Sequence, residues 1–171
     1  MINEIIKKRK SIRNYDPKRN VSDEQIKELL AAAMLAPSAC NLRPWEFIAI
    51  NNRDILNKIT NIHPHTQMLK TASCAILVCG LPTLQKGRAG EGMWQHDCGA
   101  ATENILLQAA SMDLGTCWCG LHPVERLMNG IRELFELPET VVPFSCIAVG
   151  YPAEEFGGRG YYDESKVRWI E

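Results

Sequence analysis

Residues 93–113 read MWQHDCGAATENILLQAASMD, a helical pattern that constrains the fold more than any other stretch. Trp94, Cys98, Ala101, Ile105 and Met112 recur along one side, and Ala100, Leu107 and Ser111 along another. A surface helix carries a single apolar stripe, so this one is expected to be buried nearly all round, inside a domain or against a partner chain. Asp97 and Glu103 fall on opposite faces of it and read as solvated or capping carboxylates rather than an acid–base pair. Gly115 suits a left-handed cap after the helix, and residues 116–121 read as a short strand.

Working outward, residues 21–36 form a second helix. Ile26, Leu29, Leu30, Ala33 and Met34 share one face, Ser22 with Gln25 makes a capping box, and Val21 with Ile26 a hydrophobic staple. Pro37 stops it, since proline supplies no N–H and disfavours helical geometry in the residue before it. Residues 45–51, 74–81 and 141–151 read as strands, with short helical pieces at 53–60 and 65–72. Val124, Leu127, Met128, Ile131, Leu134 and Phe135 mark an amphipathic helix closed by Pro138. Helices alternate with a few strands, without a repeat or a linker. The pattern predicts one α/β or α+β domain over residues 1–171.

Composition narrows the class. The 171 residues are 46% hydrophobic and 23% charged, which excludes a disordered chain. At this mass about 70% of the chain's surface can be buried. The formal charge of −1 argues against a general nucleic-acid binder. It is unevenly spread: residues 1–20 hold Lys7, Lys8, Arg9, Lys10, Arg13, Lys18 and Arg19 against Glu4 and Asp16. No apolar run reaches the roughly 18 residues of a membrane span. The opening residues lack signal-peptide order, so a cytoplasmic protein is expected. Seven cysteines, an odd number in apolar contexts, point to reduced, buried thiols.

Several small motifs fit bland roles best. Gly87-Arg88-Ala89-Gly90-Glu91-Gly92 has the wrong spacing for a dinucleotide loop and reads as a mobile surface loop. His63-Pro64-His65 offers too few ligands for a metal shell. Cys117-Trp118-Cys119 puts two thiols on one face of a strand but is not the Cys-x-x-Cys redox arrangement. The stretch Arg9-Lys10-Ser11-Ile12-Arg13 is more informative. Two guanidinium forks and a hydroxyl within five residues suit a phosphate. The second informative stretch, from Ala36 through Pro37, Ser38, Ala39, Cys40, Asn41, Leu42, Arg43 and Pro44 to Trp45, is a helix end, a polar loop and a strand start. Such loops turn backbone groups toward ligands.

Together, Arg9-x-Ser11-x-Arg13 and Ala36-Pro37-Ser38-Ala39-x-Asn41-x-x-Pro44-Trp45-x-Phe47 resemble the opening motifs of the FMN-dependent nitroreductase family. The likeness continues through residues 97–110, 114–118 and 148–152, and so spans essentially the whole chain. It implies an α+β fold, with a central, mostly antiparallel sheet flanked by helices, in an intertwined homodimer holding FMN at the subunit interface. It also implies NAD(P)H as electron donor, small electrophiles such as nitroaromatics or quinones as acceptors, and a ping-pong cycle. Dehalogenation, flavin fragmentation, dehydrogenation and a non-catalytic flavin-binding module are the alternatives. By the same resemblance, Arg9 and Ser11 would hold the phosphate with Arg159, Lys10 would be a further cofactor contact, and Arg13 would lie nearer the N1–O2 edge of the ring. Pro37, Ser38, Ala39 and Asn41 would line the cofactor from the other subunit, Cys117, Trp118 and Cys119 would present backbone to the ring's far side, and Gly120 would permit close approach. His65 is a further candidate contact. Arg43 stands where many members carry Gln and would add positive charge near the ring. No protein side chain is expected to act as general acid.

Overall fold

The computed structural model describes residues 2–156, 160 and 162–170. The chain runs α1 (Glu4–Lys8), α2 (Asp23–Met34), β1 (Trp45–Ile50), α3 (Arg53–Ile62), β2 (Cys74–Gly80), α4 (Trp94–Ser111), β3 (Gly115–Gly120), α5 (Glu125–Phe135) and β4 (Val142–Gly150). The strands form one antiparallel sheet in the order β1-β2-β4-β3. Helices cover both of its faces, and the antiparallel pairing of every strand resolves the choice between α/β and α+β in favour of α+β.

Successive side chains of a strand point to opposite faces. In β2, Ala75, Leu77 and Cys79 enter one core, and Cys74, Ile76 and Val78 the other. All seven residues of β2 are buried, which is why the strand reads as an unbroken apolar run. Leu56 and Ile59 of α3 and Leu127 and Ile131 of α5 close the first core. Leu29 and Ala33 of α2 and Ala101, Ile105 and Ala109 of α4 close the second. Each large apolar side chain buried this way stabilises the fold by about 1.5–3 kcal/mol.

The expected local devices are present in α2. Ser22 Oγ accepts from the Gln25 amide at 3.2 Å, and the Gln25 side chain accepts from the Ser22 amide at 3.0 Å. The helix gives way at Leu35, two residues ahead of Pro37. The burial expected of α4 is also seen: every residue from Asp97 to Ala110 is buried or half-buried. The seven cysteines, all among the described residues, are unpaired, and all but Cys40 are buried.

Three local expectations change. Asp97 is buried, 5% exposed, rather than solvated, because it lies in line with Ala101 and Ile105 on the inner face of α4. Gly115 opens β3 instead of capping α4, and Asp113 takes the left-handed conformation at φ 57°. Gly115 is required for another reason: a Cβ there would lie 2.9 Å from the Ile12 side chain. The helix expected at 65–72 is a 3₁₀ segment, Pro64–Lys70, kinked at His65 and Thr66. There the Thr66 hydroxyl donates to the His63 carbonyl at 2.7 Å, a side-chain bond that competes with regular helix.

Candidate functional site

The basic segment is an extended strip laid against the outer edge of β3. Ser11 bridges to Thr116, and the Ile12 amide donates to the Thr116 carbonyl at 2.8 Å. Two buried side chains nail it down. Ile12 packs over Gly115, while the Tyr15 hydroxyl donates to the Ile12 carbonyl at 2.8 Å and lies 3.3 Å from the Ala148 carbonyl. Gly150 leaves room for the Tyr15 ring, since a Cβ there would meet it at 2.8 Å. With Ile12 turned inward, its neighbours Ser11 and Arg13 point outward together.

Arg9, Lys10, Ser11, Arg13 and Glu154 surround an open cavity of about 370 Å³. Two carboxylates temper its charge. Glu103 of α4 lies 3.6 Å from the Arg9 guanidinium, and Glu154 lies 3.9 Å from the Lys10 ammonium. Glu154 also accepts from the backbone amides of Arg13 at 2.6 Å and Asn14 at 3.2 Å. The Arg13 amide bond is the main cause that holds its carboxyl below the usual range. The strip therefore offers three cations, a hydroxyl and outward-facing backbone to an anionic group. Arg159, the fourth cation expected here, lies outside the described residues.

The second stretch is a tight turn. Its 3₁₀ segment Ala39–Asn41 carries positive φ at Cys40 (51°) and Asn41 (52°), and Arg43 follows at 50°. Each such residue costs on the order of 1 kcal/mol or more and persists only where its surroundings over-determine it. Here the Ser38 hydroxyl accepts from the Arg43 amide at 2.9 Å, and Asp97 accepts from the Ala39 amide at 3.0 Å. The Arg43 guanidinium donates to the Met34 carbonyl at 2.5 Å, closing the C-terminus of α2. Pro37, Cys40 and Asn41 are exposed, and Ser38 and Ala39 half-buried.

Along β3, Cys117 and Cys119 face the core while Trp118 turns the other way, 38% exposed against Phe144. A hydrogen bond shared with Cys119 is the main cause that lowers the Cys117 thiol to about 7, with Arg13 and Ser11 assisting. The same sharing, with burial, pushes Cys119 up. Gly120 is exposed, with open space where a Cβ would stand. Its carbonyl accepts from His63 Nε2 at 3.0 Å, while His63 Nδ1 accepts from the His65 amide at 3.2 Å. His63 is thus a structural link, and His65 an exposed residue beside it.

The sheet does not bring the two stretches together. Ser11 joins β3 at Thr116, level with Val149 of β4 and Cys74 of β2, whereas the turn ends at Trp45 of β1, level with Gly80 and Val142. They occupy diagonally opposite corners, about 19 Å apart across the strands and about 20 Å along them. Three residues at these sites escape sequence reading. Glu154 has no local signal. Asp97 could have been found from its place on the inner face of α4. Gln85 lies buried in the loop before that helix and meets Asp97.

Comparison with known proteins agrees with this architecture. The family described as "Nitroreductase family" matches residues 6–70 and 63–151. A Methanothermobacter thermautotrophicus protein, named "Putative NADH dehydrogenase/NAD(P)H nitroreductase", is 47% identical over 96% of this chain and 84% of its own length. A Clostridium acetobutylicum structure, named "Putative NADH Oxidase", is 40% identical with a TM-score of 0.91, covering 98% of this chain and 99% of that one. A Desulfovibrio desulfuricans nitroreductase-type structure in complex with FMN is 26% identical with a TM-score of 0.81, covering 100% of this chain and 98% of that one.

Proposed function

As the chain belongs to the nitroreductase family, we propose that it is an FMN-dependent NAD(P)H oxidoreductase that reduces small electrophiles such as nitroaromatics or quinones. The observation that carries this is the basic strip: a cavity of about 370 Å³ bordered by Arg9, Lys10, Ser11 and Arg13. These donors fit a phosphomonoester, because guanidinium forks and a hydroxyl match its oxygens and its charge. Bound FMN would supply the two-electron chemistry, taking a hydride from NAD(P)H and passing electrons to the acceptor in a ping-pong cycle.

The chain's own residues bind and orient. Arg9, Lys10 and Ser11 hold the phosphate, and Arg13 places positive charge toward the ring. Ile12 and Tyr15 keep these groups fixed by anchoring the backbone between them. Pro37, Ser38, Ala39 and Asn41 line the cofactor from a second copy of the chain. The opposite-corner placement of the two stretches supports that sharing, since a site using both corners closes only across two chains. Exposed apolar side chains such as Leu35, Trp118, Trp169 and Ile170 support an interface as well.

The test is to release the chromophore of the purified protein by heat and identify it by chromatography, then add NADH or NADPH to the anaerobic protein. FMN and a bleached flavin spectrum are expected. FAD, or a flavin that stays oxidised with both donors, refutes the proposal.

A further inference from the structure

Asp97 and Gln85 form a buried, hydrogen-bonded pair away from the basic strip. Asp97 stands in the first turn of α4, 5% exposed, and Gln85 is fully buried in the loop between β2 and α4. The two Asp97 oxygens take separate partners: Oδ1 accepts from the Ala39 amide at 3.0 Å, and Oδ2 accepts from Gln85 Nε2 at 2.7 Å. Gln85 Oε1 is buried with no hydrogen-bond partner among the described residues. One carboxylate thus ties a strained turn and an otherwise largely exposed loop to the same rigid helix. The loop presses on the turn directly, as a Cβ on Gly90 would meet the Ala39 side chain at 3.0 Å and its carbonyl at 3.3 Å.

We infer that Asp97 is a positioning residue for the cofactor, holding the Ser38–Ala39–Asn41 turn in its binding shape through the Ala39 amide, with Gln85 as the second half of the latch. This rests on the FMN reading above. The left-handed Cys40 and Asn41 follow immediately after the anchored amide. Within the turn, the Ala39 carbonyl accepts from the Leu42 amide at 3.1 Å and the Ser38 carbonyl from the Asn41 amide at 2.9 Å, so the Asp97 bond is what fixes this hydrogen-bonded turn to α4. Asp97 does not touch the cofactor; it acts through the turn.

The hydrogen-bond chemistry separates positioning from charge. Asp97→Asn keeps an oxygen for the Ala39 amide, and its new N–H₂ faces Gln85, whose amide can rotate to present Oε1. That rotation pairs Oε1 with the new N–H₂ and turns Nε2 to the buried position Oε1 held, so the asparagine keeps the Ala39 anchor without the negative charge while the unpaired atom changes from Oε1 to Nε2. Asp97→Ala leaves the Ala39 amide and the Gln85 side chain unpaired. Ala39→Pro deletes the amide from the other end of the bond. Ser38 is extended at φ −142° and ψ 153°, as a residue before proline prefers.

Apo-protein is titrated with FMN by flavin fluorescence, the bound flavin is recorded by visible circular dichroism, and unfolding is followed by far-ultraviolet circular dichroism. Asp97→Ala is expected to weaken FMN binding about tenfold or more, as loss of a hydrogen bond to a charged group implies, and to change the visible dichroism. Asp97→Asn should bind within about threefold of wild type with the wild-type spectrum. If Asp97→Ala does not fold, Ala39→Pro takes its place and should show the same loss. Wild-type affinity in Asp97→Ala or Ala39→Pro, or equal losses in the asparagine and alanine variants, overturns the inference. Failure of the wild-type protein to take up FMN overturns the functional reading instead, and the inference falls with it.

Discussion

Arg9→Ala probes the basic strip most directly. Arg9 is about one-third exposed and its only described ion pair is with Glu103 at 3.6 Å, itself 46% exposed. Such a pair is worth about 0–1 kcal/mol, so its loss leaves folding stability nearly unchanged. A charge-assisted hydrogen bond to a phosphate is worth about 1.5–3 kcal/mol. Competition from Glu103 in the unliganded protein takes back up to about 1 kcal/mol of this. The expected net loss of FMN affinity is therefore about 0.5–3 kcal/mol, or roughly 2- to 150-fold. Fluorescence titration of apo-protein measures it, with urea unfolding as the stability check. Lys7→Ala is the control, since it removes the same charge from an exposed pair with Glu4 outside the cavity. A solvated strip with no ligand would give the same dissociation constant in both variants. That result, with wild type binding FMN, would refute the phosphate assignment.

Gly115→Ala should destabilise the protein by about 1–3 kcal/mol in urea unfolding, because the new methyl group meets the buried Ile12 side chain at 2.9 Å and must displace the strip; unchanged stability contradicts the packing. Burial lowers the pKa of His63 below 6.5 and acts likewise on His122. The unfolded chain therefore binds protons first as pH falls, and stability should be full above pH 6.5 and decline below it. His63→Gln should flatten that decline below pH 6.5, and an unaltered slope assigns it elsewhere. Sedimentation should give twice the 19.2 kDa chain mass for the FMN-loaded protein. Mixing Arg9→Ala with Asn41→Ala should restore one intact FMN site per mixed dimer, since the two residues lie at opposite corners of each chain. No recovery after subunit exchange would place both residues in sites built from one chain.

Helix α2 shows how far local chemistry reaches. Its capping box, apolar face and proline stop are all written within sixteen residues, and the observed helix Asp23–Met34 has each of them. The strands were equally legible, since an unbroken apolar run such as Cys74–Gly80 suits burial on both faces. Legibility failed where a residue answers to a distant partner. Gly115 resembled a cap because its neighbours end a helix, yet its reason is Ile12, more than a hundred positions earlier. Asp97 looked like a solvated carboxylate because its two donors come from separate loops.

The sequence by itself determined the elements, the two-sided burial of the sheet and of α4, and the residue types that suit a phosphate, since these rest on periodicity and on side-chain chemistry carried within a few positions. Only the tertiary structure decided that Glu154 sits in the amides of Arg13 and Asn14, that Arg43 closes α2, and that Asp97 anchors the strained turn. It also decided that the basic strip and the turn stand at opposite corners. Strand order and register set that distance, and both arise from how the two cores pack across the whole chain.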